Sequence, residues 1–332
     1  MKPEYFIGID ISKVTLDICI VNVKGDQIAA YKTANTESSI ADILGVLATN
    51  HKTTRENSCF CAEDMGLFGS FLSKVLAAGK YRICFESPLR IKKSIGIQRG
   101  KNDAIDALRI ARYACANFNS LRFRTVPRRC IADLKELSTV RKRLLKTRKL
   151  LSQSKRTEDY YLQGATSLTG SSLYSNTLVA IKDDLQAIEK RILGLIESDV
   201  KLARLVKIIT SVPRIGTVTA VQILIATNEF EWISCPKKFA SYCGVAPFPL
   251  KSGTSLNARA RVSRLANRDL KSLIHMAAIG YAKKGRSDFL AKYYRRKIQE
   301  GKRPMTVVNA IRNKLVHRIF SCIKTDSLFV DI

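Results

Sequence analysis

Apolar positions along the first third of the chain switch repeatedly between the two-residue rhythm of strands and the longer rhythm of helices. Tyr5–Ile11 is an apolar run that predicts a strand, and Leu16–Val23 predicts a second. The turn Lys24-Gly25-Asp26 leads into a third, Gln27–Thr33. Ser38–Thr49 predicts a helix, Ser58–Glu63 a strand, Leu67–Ala78 a helix and Tyr81–Glu86 a strand. Ala104–Ala116 returns to helical spacing, and Asn102 is placed to cap it. The first part of the chain is therefore expected to be α/β.

The middle changes period. Leu137, Val140, Leu144, Thr147 and Leu151 recur at alternating steps of three and four, as do Ile181, Leu185, Ile188, Ile192 and Leu195. The polar stretch from Thr166 to Asn176 separates the two stripes. This predicts an antiparallel pair of helices, a coiled-coil arm at 126–200 between an α/β domain at 1–125 and a mainly α domain at 201–332. The arm is either a plain helical linker or a surface for dimerisation or nucleic acid. In the last domain, Val212-Pro213-Arg214-Ile215-Gly216 before an apolar run has the pattern of a helix-hairpin-helix. There a tight turn offers backbone N–H groups to a phosphate. Arg214 stands where that motif has its first glycine.

Charge narrows the partners. The chain has 332 residues, with 57 Lys+Arg against 28 Asp+Glu, a formal net charge of +29. Its hydrophobic fraction of 46% is enough for packed cores, so it is no disordered basic tail. An excess of this size needs a polyanion, and a phosphate backbone is the expected one. Arg259, Arg261, Arg264, Arg268 and Lys271 form one basic stretch; Lys292, Arg295, Arg296, Lys297, Lys302 and Arg303 form another, beside Tyr293 and Tyr294. Such groups either track phosphates while aromatics stack on bases, or form solvated helix faces. Nine cysteines without a CxxC predict buried free thiols and a reducing, cytoplasmic setting, and three scattered histidines argue against zinc. Neither a signal peptide nor a membrane span is expected.

Carboxylates are the candidate chemistry. Asp10 interrupts the apolar run Phe6-Ile7-Gly8-Ile9-Asp10-Ile11, on the face of Phe6 and Gly8. A charge there either binds a metal or caps the turn at Ser12. Glu63 ends a strand in the same way, with Asp64 as the competing ligand and Gly66 beyond. Asp103 and Asp106 share one face at the start of a helix, where acids also suit the helix dipole. Three strands followed by alternating helices and strands is an RNase H-like order, and such a sheet would gather these four acids. Hard oxygen ligands of this kind bind Mg²⁺, and two such ions serve phosphodiester chemistry. Gly96–Asn102 looks like a P-loop but its glycine spacing is one residue short and Asn102 replaces Ser/Thr, so nucleotide hydrolysis is not expected.

Ile7-Gly8-Ile9-Asp10, Glu63 with Gly66, and Lys101-Asn102-Asp103-Ala104-Ile105-Asp106-Ala107 together resemble the DEDD transposases of bacterial insertion sequences, a family that also contains Piv-type invertases and RNA-guided recombinases. Val212–Gly216, Phe239–Pro247 and Lys251-Ser252-Gly253-Thr254-Ser255 follow in the family's order. The resemblance spans nearly the whole chain. It implies a RuvC-like domain with Asp10, Glu63, Asp103 and Asp106 as a Mg²⁺-binding tetrad. It implies Ser252 as a nucleophile forming a phosphoserine link to DNA, with Lys251 easing charge on the phosphate; the residues alone would make Ser252 a turn residue. It also implies element and target DNA, a structured guide RNA, and a homo-oligomer (dimer or tetramer) as partners. Competing expectations are a RuvC-like endonuclease that needs the acids but not Ser252, and a non-catalytic nucleic-acid-binding protein.

Overall fold

The computed structural model describes residues 3–96, 103–123, 125–161, 170–252, 256–263, 265–282 and 288–330. The chain divides into two compact units, Met1–Val126 and Pro127–Ile332.

The first unit contains strands β1 (Tyr5–Ile11), β2 (Thr15–Val21), β3 (Gln27–Ala34), β4 (Ser58–Glu63) and β5 (Ile83–Glu86). Its helices are α1 (Glu37–His51), α2 (Ser70–Ala78), α3 (Pro88–Ile95) and α4 (Asp103–Ala116). The sheet order is β3-β2-β1-β4-β5, antiparallel for the first three strands and parallel from β1 to β5. This is the RNase H-like mixed sheet that the strand order predicts. α3 was not expected from the pattern, and the helix expected from Leu67 begins as a 3-10 turn over Gly66–Gly69.

Alternation divides the unit into three layers. Ile7, Ile9, Ile11, Phe60 and Ala62 point to one face and pack with Ile40 and Leu47 of α1 and Leu72 and Leu76 of α2. Phe6, Cys19, Cys59, Cys61 and Cys84 point to the other, where α4 contributes Ala107, Ile110, Ala111 and Ala114. Gly8 lies on that second face. A Cβ there would collide with the Ala107 carbonyl oxygen and the Ala111 amide nitrogen, and would stand 2.8 Å from Ala111 Cα. Those are backbone atoms, so they cannot swing aside; glycine lets the helix rest on the strand itself.

The second unit holds α5 (Arg129–Tyr161), α6 (Gly170–Glu197), α7 (Val200–Ser211), α8 (Thr217–Thr227), α9 (Pro236–Tyr242), the hairpin β6 (Phe248–Ser252) and β7 (Leu256–Arg261), α10 (Arg268–Ile279), α11 (Phe289–Gln299) and α12 (Pro304–Lys324). It is mostly helical, as expected; the hairpin was not foreseen. α5 and α6 pack along each other. Ile181, Leu185, Ile188 and Ile192 are buried, but Val140 of the α5 stripe is 38% exposed. α6 also begins at Gly170, inside the stretch expected to be a loop. Ile131, Leu134, Ile188, Ile192 and Ile196 belong to the same core as α7, α8, α10 and α12, so the base of the helix pair is part of this unit's body. Arg128 ties it down, reaching Asp199 at the N-cap of α7 and Glu229 after α8, each at 2.7 Å.

The turn between α7 and α8 keeps the hairpin shape despite its arginine. Arg214 adopts φ +70°, the conformation a glycine would otherwise supply. Its guanidinium lies over the Tyr281 ring at 4.9 Å, and Tyr281 donates its hydroxyl to the Pro213 carbonyl at 2.9 Å. Gly280 leaves the room: a Cβ there would stand 2.7 Å from Arg214 Cζ.

Gly8→Ala is expected to cost about 1–3 kcal/mol through overpacking of α4 against β1. Urea denaturation followed by circular dichroism checks this; an unchanged midpoint would show that α4 is not seated on the β1 backbone.

Candidate active site

The sheet register lines up acids from four strands. Asp10 faces Asp17 across the antiparallel β1–β2 pair. The parallel register Gly8↔Cys61 and Ile9↔Ala62 runs on to set Glu63 beside Asp10. Glu63 pairs in turn with Glu86 on β5, and Asp17 with Lys32 on β3. All share the parity of Phe6, Cys19, Cys61 and Cys84, so all project to the α4 face. Like charges opposite one another on a sheet repel. The outer acids are matched within the protein: Lys32 Nζ is 3.1 Å from Asp17 and Arg90 Nη1 is 2.9 Å from Glu86. Asp10 and Glu63, both half-buried, hold the middle.

α4 runs against the direction of β1. Phe118, just past its end, packs edge-on to Phe6 with ring centroids 5.8 Å apart, while Ala107 and Ala111 cover Gly8. The first turn of α4, which carries Asp103 and Asp106, therefore lies toward the end of β1 that carries Asp10. Asp106 is half-buried and accepts from Arg109 Nη1 at 2.7 Å. Asp103 opens the helix, and its side chain lies outside the described part. Asp64 sits past the strand end, exposed, with an oxygen 3.4 Å from the Gly66 amide. Alternation thus puts Glu63, not Asp64, on the Asp10 face. The turn after β1 is closed by Ser12, whose hydroxyl accepts from Thr15 N at 2.8 Å.

Among the described residues, no three acidic, histidine or cysteine side chains are gathered closely enough to hold a metal ion. The donor set is nonetheless of one kind. Asp10, Glu63 and Asp106 are carboxylates at one end of the sheet, hard donors that suit Mg²⁺ and not zinc. Sequence reasoning missed Asp17 and Glu86. Glu86 had a readable signal: Ile9-Asp10, Ala62-Glu63 and Phe85-Glu86 are three parallel strands that each carry an apolar run into an acid.

The remaining candidates lie in the second unit. Ser252 is the last residue of β6 and registers with Leu256, the first of β7, which puts it at the end of the hairpin. The backbones of Lys251, Ser252 and Arg259 are described and their side chains lie outside the described part; Arg264 lies outside the described residues. Arg261 on β7, Arg268 on α10, and Arg295 and Arg296 on α11 are exposed, and Lys271 is half-buried. Tyr293 and Tyr294, read as base-stacking candidates, pack partly against the core. Arg296 and Lys314 already lie over the Tyr293 ring, at 5.8 and 4.8 Å. Among the described residues, no helix is long and apolar enough to cross a membrane.

Comparison with known families gives two matches. Residues 7–157 match a DEDD transposase model of IS110 type, and residues 206–295 match the transposase family IS116/IS110/IS902. Two relatives align end to end: the pilin gene-inverting proteins of Moraxella bovis and Moraxella lacunata. Each is 25% identical over 327 residues, covering 98% of this chain and 97% of the relative. An uncharacterized 43.6 kDa protein of insertion element IS110 from Streptomyces coelicolor is 24% identical over 155 residues, 47% of this chain and 36% of its own length.

One buried cation stands out beside the basic residues. Arg312 of α12 is 6% exposed, and its partners are neutral. Nε donates to His275 Nδ1 at 3.1 Å, Nη2 also meets that nitrogen, and Nη1 donates to Asn309 Oδ1 at 3.3 Å. The contact needs a neutral imidazole. Burial first, then the Arg312 and Lys271 cations, push the His275 pKa below its ordinary range. A histidine with a lowered folded-state pKa contributes stability above its unfolded value, about 6.5, that is lost as pH falls through the folded value. The melting temperature is expected to fall between pH 7.5 and 5.5 by more in the wild type than in His275→Gln. Equal falls in both would remove His275 as the cause.

Proposed function

The chain belongs to the IS116/IS110/IS902 family of transposases, and on that footing we propose that it is a DNA recombinase that cuts and rejoins strands through a phosphoserine link to Ser252. The observation that carries this reading is the register that sets Asp10 beside Glu63 under the first turn of α4. Asp10, Glu63, Asp103 and Asp106 would hold Mg²⁺, as a pair of ions. When bound, Mg²⁺ polarises a phosphate oxygen and balances charge in phosphodiester exchange. Glu63 is the ligand in preference to Asp64, because it shares the Asp10 face.

Ser252 Oγ forms the new bond to phosphorus while the bond from phosphorus to a sugar oxygen breaks. The proton given up by the serine ends on the departing oxygen, which becomes a strand hydroxyl. Rejoining runs the exchange backwards with a hydroxyl from the other duplex and frees the serine. The hairpin position of Ser252 supports this role, since a residue at a strand-to-strand turn meets a DNA backbone without burying the duplex. Lys251 beside it, with Arg259, Arg261, Arg264, Arg268, Lys271, Arg295 and Arg296, supplies cations along the phosphates.

The net charge of +29 supports more than one nucleic-acid partner. We read these as element and target DNA together with a structured guide RNA, whose pairing selects sequence while the protein grips backbones. The 126–200 helices act as a coiled-coil arm between the 1–125 and 201–332 domains, and two or four copies bring the duplexes together. The end-to-end match to two pilin gene-inverting proteins favours inversion as one form of the reaction.

The test uses purified protein, Mg²⁺, RNA transcribed from the flank of the gene, and the joined-ends DNA. Wild type is expected to give a protease-sensitive protein–DNA adduct on a denaturing gel. Ser252→Ala, Asp10→Asn, Glu63→Gln, Asp103→Asn and Asp106→Asn are each expected to reduce strand exchange to the level of a protein-free control. Metal-dependent cleavage that persists in Ser252→Ala without an adduct would replace this reading with a RuvC-like nuclease.

A further inference from the structure

Glu86 belongs to the acid row, but its oxygens are already engaged. Oε1 accepts from the Ser87 amide at 3.0 Å; Oε2 accepts from Arg90 Nη1 at 2.9 Å and from the Tyr113 hydroxyl at 3.1 Å. Glu86 is 8% exposed and Tyr113 4%. A carboxylate committed in this way is a poor metal ligand and a good anchor. What it anchors is informative. Tyr113 lies on α4, two turns after Asp106 and on the same side of the helix. Arg90 lies on α3, the helix that follows β5. Glu86 therefore fastens α4 to the sheet one strand away from Glu63, with which it is in register. Burial and the Glu86 charge push the Tyr113 phenol up to about 12, so it remains a donor at any working pH.

We propose that Glu86, Tyr113 and Arg90 form a positioning set for the carboxylate site, resting on the metal-binding reading above. The Tyr113–Glu86 bond fixes how far α4 slides along β1, and so where its first turn brings Asp103 and Asp106 relative to Asp10 and Glu63. Arg90 has a separate task. It offsets the Glu86 charge beside Glu63, and so lowers the negative potential that Glu86 adds to the row.

The two tasks give opposite signs. Groups that orient metal ligands from behind typically change affinity about 10–100-fold when removed. Tyr113→Phe loosens α4 and is expected to weaken Mn²⁺ binding by about tenfold on that scale. Glu86→Gln keeps an acceptor for Tyr113 but leaves the Arg90 charge unmatched, and is also expected to weaken it. Arg90→Gln removes a nearby cation while the Tyr113 bond stays, and is expected to tighten it. The measurement is calorimetric titration of the full chain with Mn²⁺, alongside melting temperature. Lowered melting with unchanged Mn²⁺ affinity in all three variants would reduce the set to plain structural packing and overturn the proposal. Should Glu86→Gln fail to fold, the opposed signs of Tyr113→Phe and Arg90→Gln decide alone. Asp10→Asn separates the two readings: it is expected to abolish binding. Mn²⁺ binding unchanged by Asp10→Asn, or absent from wild type, would overturn the metal site itself and this proposal with it.

Discussion

The close seating of α4 on β1 is the contact on which the rest of the first unit depends. Glycine at position 8 and alanines at 107 and 111 remove every side-chain atom that would hold helix and strand apart. Packing at that distance fixes the helix in two directions at once, and it needs small filler around it. Cys59, Cys61 and Cys84 serve as that filler. Burial raises the Cys59 thiol to about 12, so it stays protonated and acts as apolar volume. A bulky residue in this layer would lift the helix, and with it the two acids of its first turn.

The acid row is the second constraint, and it sits in an otherwise cationic molecule. Four carboxylates on adjacent strands would repel one another if each were ionised alone. Lys32 and Arg90 hold the flanks, pairing with Asp17 and Glu86 on either side of the central two acids. In a chain with twice as many basic as acidic residues, this is where a divalent cation would find favourable potential and a phosphate would not. The second unit has the reverse arrangement. There a guanidinium is buried against a neutral imidazole, and arginines line exposed helices. The acid row and the exposed arginines thus belong to different units of the polypeptide.

Much of this was legible in the amino-acid sequence, for identifiable reasons. The pattern from Tyr5 to Glu86 marks all five strands: β1, β2, β4 and β5 are apolar runs because both of their faces are covered, whereas β3 alternates. Asp10 and Glu63 were legible because an acid inside such a run is costly and so calls for explanation. Glu86 was passed over because an acid at a strand end also fits simple exposure, although it repeats the pattern of Asp10 and Glu63; its burial and three partners set it apart. α3 was left unassigned; it is short, and Lys92-Lys93 and Arg90 leave it little apolar spacing, although Pro88 suits a first helical turn. The β6–β7 hairpin was missed because Pro249, Ser252 and Gly253 look like turn chemistry from end to end. Val140 falls on a regular stripe yet is exposed, since periodicity reports a face and not whether another element covers it. Ser252 carries no physical signature of reactivity in the sequence; it was singled out by family resemblance alone.

The Arg214–Gly280 contact ties together two positions far apart in the chain. The arginine fills a slot that exists only because residue 280 has no side chain, and the Tyr281 ring forms its floor. Position 280 cannot drift while the arginine is in place. A copy of this gene with glycine at 214 would be released from the need for glycine at 280, whereas one that first acquired alanine at 280 would lose its arginine's seat. The order in which the two changes arrive therefore matters: a small residue at 214 leaves room for a side chain at 280, and the reverse order does not.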